Sequence, residues 1–127
     1  MVQVYRAHIA LARFDRNTAD RIMEDLTAAN PDDAACLFEA AQYYAEKSDY
    51  RKAIALYEQS FEKETRRPRF TDELVAIADI YEIMGEYRKA AETCDRIIDL
   101  LENEWGFTED TGLKRAQEEK ARLLAKL

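Results

Sequence analysis

Histidine occurs once, at His8, and no serine or cysteine is evidently paired with it. A nucleophilic triad or an imidazole base therefore cannot be assembled from the residues of this chain. The acids Asp32, Asp33, Glu102, Glu104, Glu109 and Asp110 lack the Asp/Asn–Gly spacing of a calcium loop and read as charges at helix ends and in loops. Gly85 and Gly106 stand singly, without the spacing that cradles a phosphate. Cys36 and Cys94 lie far apart, each within an apolar helical pattern and outside any CxxC or Cys/His cluster, so they read as small buried thiols. The loop TRRPRF brings together Arg66, Arg67 and Arg69, the one basic cluster; it would suit an anion, although a solvated loop is the better reading. No enzyme, metal or cofactor is expected. The chemistry to look for is recognition of another macromolecule.

The elements that would do the recognising are helical. The chain has 127 residues, enough for one domain or one short array of repeats, with 47% hydrophobic and 35% charged residues. With 3 glycines and 2 prolines, little of it is available for hairpin turns between strands. A net charge of −7 argues against a surface that tracks nucleic-acid phosphates. No apolar run reaches the ~18 residues that a membrane span requires. The beginning, MVQVYRAHIALARF, lacks the basic head and unbroken apolar core of a signal peptide, and a cytoplasmic location is expected.

The segment Tyr44 to Ala53, YAEKSDYRKA, returns 37 residues later as Tyr81 to Ala90, YEIMGEYRKA. Leu37, Ala41 and Tyr57 then align with Leu74, Ala78 and Cys94. Such a period is the signature of stacked repeats. Apolar residues at helical spacing predict a first helix over about Val2 to Leu11, a second from Asn17 or Thr18 to Ala29, and a third from Pro31 or Asp32 to about Lys47. Further helices are predicted from Tyr50 to about Glu64, after a Thr71 N-cap up to Gly85, from Tyr87 to about Glu104, and over about 112–127. Short turns force neighbouring helices into antiparallel pairs, with Ala41 against Ala53 and Ala78 against Ala90 at the closest approach and tyrosines beside them. In the last helix Leu113, Ala116, Leu123, Leu124 and Leu127 form one narrow stripe, and 114–120 otherwise reads as a solvated face.

At these residues the chain resembles the tetratricopeptide repeat (TPR) family. The middle unit carries Leu37, Ala40-Ala41, Tyr44, Ala53, Tyr57 and Ser60; the next carries Leu74, Ile77-Ala78, Tyr81, Gly85, Tyr87, Ala90, Cys94 and Ile97. A first unit matches in part, through Ala7, Ala10, Ala19, Met23, Leu26 and Pro31, but Gln3, Arg6 and Arg16 depart from the pattern. The resemblance implies an all-α fold of TPR-type antiparallel hairpins stacked in a right-handed superhelix. Its units would span about 1–33 (degenerate), 34–70 and 71–106, with a capping helix over about 112–127.

It also implies a site, since such arrays bind peptides or protein surfaces along a concave groove lined by the first helix of each unit. The groove residues would be Val4, His8 and Leu11, then Phe38, Gln42 and Ala45, then Asp72, Val75, Asp79 and Glu82. An apolar strip beside carboxylates suits an amphipathic or basic peptide. The subclass that grips the C-terminal carboxylate of heat-shock chaperones uses Lys, Asn and Arg where this chain has Val4, His8, Asp72 and Ala76, so that clamp is absent. The expected function is a scaffold or adaptor that binds a protein or peptide, with neither nucleic acid nor membrane as partner. Self-assembly through the first unit or the leucine stripe is the alternative.

Overall fold

The computed structural model describes residues 16–127, which form six α-helices and no strand. They are α1 (Arg16–Ala29), α2 (Ala34–Glu46), α3 (Tyr50–Lys63), α4 (Asp72–Ile83), α5 (Tyr87–Asn103) and α6 (Thr111–Leu124). The helix expected over Val2 to Leu11 lies outside the described residues. Two compact units divide between Glu64 and Thr65, the first holding α1–α3 and the second α4–α6.

In the first unit α2 and α3 pair antiparallel, and α1 leans on α2. Ala40, Ala41 and Ala53 are fully buried where the two helix axes come close, and Leu37, Tyr44, Leu56 and Tyr57 fill the space beside them. The pair is also pinned by a hydrogen bond, since the buried Ser60 hydroxyl donates to the Ala34 carbonyl at 2.8 Å. Asp20 of α1 accepts from the Tyr43 hydroxyl at 2.7 Å and from Lys47 Nζ at 2.6 Å, which fixes α1 against α2. Burial works against the Asp20 carboxylate, yet these two donors hold it below the usual carboxylate range.

The second unit repeats the hairpin, with its third helix following instead of preceding it: α4 packs on α5, and α5 on α6. Leu74, Ile77 and Ala78 of α4 meet Ala90, Ala91, Cys94 and Ile97 of α5, and Leu113, Ala116 and Leu123 of α6 complete the core. Both cysteines are free and buried.

The two hairpins turn in the same way. Backbone N–H groups of Ser48 and Asp49 bond to the carbonyls of Ala45 and Tyr44, and those of Gly85 and Glu86 bond to Glu82 and Tyr81. Each is a Schellman end, which needs one left-handed residue: Ser48 at φ 66° and Gly85 at φ 76°. The repeat extends to the side chains. Lys52 Nζ sits 4.5 Å from the centre of the Tyr44 ring, and Lys89 Nζ lies 5.8 Å from that of Tyr81.

Some boundaries differ from the sequence reading. Helix α1 begins at Arg16, two residues before Thr18, so Asn17 lies within the helix and is not its N-cap. Helix α2 begins at Ala34 rather than at Pro31 or Asp32, because the Asp33 side chain accepts from the Cys36 N–H and caps the helix there. Thr71 stands at the cap position of α4 but makes no capping bond; its backbone is already helical, so the hydroxyl is not aimed at the free N–H groups. The leucine stripe of α6 divides: Leu113 and Leu123 are buried, whereas Leu124 and Leu127 are 43% and 64% exposed. The last turn of the expected helix is absent, α6 ending at Leu124.

Candidate functional site

The repeat places Phe38, Gln42 and Ala45 on α2 and Val75, Asp79 and Glu82 on α4 at equivalent positions, spaced i, i+4, i+7 along one side of each helix. In the first unit all three are half-buried, and Phe38 packs edge-on against Tyr57 with ring centres 5.5 Å apart. Its aromatic edge is thus partly used by its own hairpin. Val4, His8 and Leu11 lie outside the described residues.

In the second unit Val75, Asp79 and Glu82 border a cleft of about 280 Å³. Its floor is apolar, formed by Ala78 of α4, Ile97 and Leu101 of α5, and Ala116 and Leu123 of α6. Asp72 is exposed and does not line it, although its neighbour Thr71 does. On the far side stand Arg115 and Glu119 of α6, which the sequence reading assigned to a solvated face. Lys120, from the same stretch, pairs with Asp95 at 2.6 Å.

The acidic strip on α4 is less open than its spacing suggests. Glu82 accepts from both guanidinium nitrogens of Arg122 at 2.7 and 2.8 Å and from Lys126 at 3.1 Å. The Arg122 hydrogen bonds, then those of Lys126, hold its carboxyl down at about 2. Glu82 therefore spends its charge on docking α6 to α4. Asp79 is different: it has no hydrogen bond or ion pair among the described residues, and its carboxyl is pushed above the ordinary range. Partial burial at the cleft wall is the main cause, followed by repulsion from Glu82 and Glu119.

Sequence reasoning missed Ile83, which is 64% exposed and follows Val75 and Asp79 at the next i+4 step on the open side of α4. Its spacing was a legible signal. The contribution of α6 was not legible, because a polar helix face reads as solvated until its neighbour is known.

The arginine cluster is not an open anion site. Arg69 makes a forked pair with Glu104, Nε lying 3.1 Å from one carboxylate oxygen, and Arg67 approaches the same group at 3.8 Å. Arg69 in turn holds the Glu104 carboxyl below its usual range. The Trp105 indole donates to the Arg69 carbonyl at 2.6 Å and stacks on Phe107, which ties the loop before α4 to the end of α5. Among the described residues no group of His, Cys, Asp or Glu is arranged to hold a metal, and no helix is long and apolar enough to cross a membrane.

No protein-family model matches the chain, and no curated protein matches it in sequence. Solved structures do. The chain is similar to the TPR2B domain of yeast Sti1 in its pHsp70 complex, at 17% identity over 100% of both chains with a TM-score of 0.66. It is similar to the type III secretion translocator chaperone SycD of Yersinia enterocolitica, at 15% identity over 98% of this chain and 82% of that one, TM-score 0.66. It is also similar to the Sgt2 TPR domain of Aspergillus fumigatus, at 18% identity over 98% and 78%, TM-score 0.64. Its fold is that of the tetratricopeptide repeat.

Proposed function

We propose that this chain is a protein-interaction adaptor that holds a peptide or partner protein on the first-helix faces of its repeats. The observation that carries this reading is the side of α4, where exposed Val75 and Asp79 line an apolar cleft that the unit's own side chains leave unfilled, and Ile83 is exposed one turn further on. Phe38, Gln42 and Ala45 are the equivalent face of α2, and Val4, His8, Leu11 and Asp72 belong to the same proposed set. The similar structures lend support, since one is of a TPR domain with pHsp70 and another of a translocator chaperone. A chaperone tail is not the expected ligand, because the Lys, Asn and Arg of that clamp have no counterparts here. The chain carries out no catalysis in this reading, and turnover of a small substrate would contradict it. Two free buried thiols suit a reducing compartment, so residence in the cytoplasm belongs to the same reading.

The test is capture from source-cell lysate by the native chain and by Asp79→Lys, with light scattering on both. A partner retained by the native chain and lost by the variant, at equal mass in solution, is the expected result. Equal capture by both would refute the role of this face.

Self-assembly is the second reading, favoured by one observation: Leu124 and Leu127 remain exposed at the end of the chain. In that case Leu124→Glu lowers the mass in solution while Asp79→Lys leaves it unchanged.

A further inference from the structure

The cleft of the second unit combines an apolar floor with a carboxylate, Asp79, that makes no hydrogen bond or ion pair among the described residues. Arg115 stands on the opposite rim, and Arg122, whose charge reaches Asp79, is already shared between Glu82 at 2.7 Å and Glu119 at 2.6 Å. Asp79 is left on the lip with two carboxylates bearing on it and no hydrogen bond of its own. A carboxylate at an apolar lip, repelled by two neighbours, gains from an incoming cation, and the gain grows when binding excludes water from the pair. Below it, Ala78, Ile97, Ala116 and Leu123 surround a space of about 280 Å³, room for one large apolar side chain. Interfaces concentrate their affinity at such anchors, where a side chain fills a pocket with charged groups around it.

We propose that this cleft is an anchor site for a partner segment of defined chemistry, in which an aliphatic or aromatic side chain enters between α4, α5 and α6 and a neighbouring lysine or arginine pairs with Asp79. The proposal rests on the partner-binding reading and sharpens it in two ways. Recognition is assigned to a basic, apolar segment rather than an acidic tail. The terminal helix is assigned half of the site, since Ala116 and Leu123 form its floor and Arg115 and Glu119 its rim.

The test is selection of short random peptides displayed on phage against the full chain, followed by affinity measurement on the enriched peptides. Asp79→Asn and Val75→Ser are the informative variants, because both side chains are exposed and neither belongs to the core. Circular dichroism checks that each variant keeps its helicity. Enrichment of Leu, Ile, Met or Phe next to Lys or Arg is expected, with Asp79→Asn weakening those peptides about tenfold and removing their preference for the basic residue. Val75→Ser should weaken them while leaving that preference intact. Enrichment of acidic peptides, no enrichment at all, or peptides indifferent to both variants would overturn the anchor. Peptides indifferent to both variants but lost with Phe38→Ala would overturn it while leaving the adaptor reading in place.

Discussion

Ser48 and Gly85 hold the same place in the two hairpins, and both backbones are left-handed there. Glycine adopts that conformation at no steric cost, whereas a residue with a Cβ is strained by roughly 1–2 kcal/mol. A Cβ built on Gly85 would meet no atom within 4 Å, so Gly85→Ala tests the backbone term alone. It should cost about 1 kcal/mol in urea unfolding, and Ser48→Gly should stabilise by roughly 0.5 kcal/mol, the relief being offset by the greater freedom of glycine in the unfolded chain. Equal stability of both variants with the native chain would show that the turns relax to another form. The sequence made these positions legible because a glycine and a serine both precede an acid and a tyrosine at the same register. It did not reveal the matching Tyr44–Lys52 and Tyr81–Lys89 contacts, although the repeated YRKA carries both lysines.

At the scale of elements, α6 packs on α5, and Glu82, Arg122 and Lys126 tie it to α4. The Glu82 carboxyl is lowered from 4.5 to about 2 in the folded chain, so its contribution is fully present above the unfolded value and is lost as the pH falls through that interval. The stability difference between the native chain and Glu82→Gln should therefore shrink as pH drops from about 4.5 toward 2, measured by thermal unfolding at each pH. A constant difference would mean that Glu82 acts by packing and not by charge. Periodicity predicted one apolar stripe on α6, and the fold buries Leu113, Ala116 and Leu123 of it while leaving Leu124 and Leu127 exposed. Periodicity specifies a face and not where the neighbouring helix ends. For the same reason Arg115 and Glu119 were read as solvated, although they rim the cleft.

For the molecule as a whole, the division between Glu64 and Thr65 gives each unit its own core. In the second, the buried residues Leu74, Ile77, Ala90, Cys94, Leu113 and Leu123 are contributed by three helices that pack in succession. A chain of residues 65–127 is accordingly expected to keep its helicity and unfold cooperatively, as several domains of that size do. A coil-like circular dichroism spectrum would show that its core depends on the preceding unit. The same division bears on function, because the proposed anchor lies wholly within the second unit.

By itself the sequence determined the repeat, the all-α fold, the small residues at the hairpin contacts and the glycine that ends α4. These follow from local spacing: alanine, tyrosine and glycine at fixed intervals restrict the backbone and the helix face whatever lies further along the chain. The resemblance to the repeat family implied Val75, Asp79 and Glu82 as one face of α4. Only the tertiary structure decided which of these carboxylates is spent and which is open. Glu82 meets Arg122, 40 residues away, and Glu104 meets Arg69 from 35 residues away, while Asp79 meets neither. Long charged side chains have many admissible partners, and the choice among them is made by how separate helices come to lie together. The cleft beside Asp79 is settled in the same way, as a space that exists only once α4, α5 and α6 have packed.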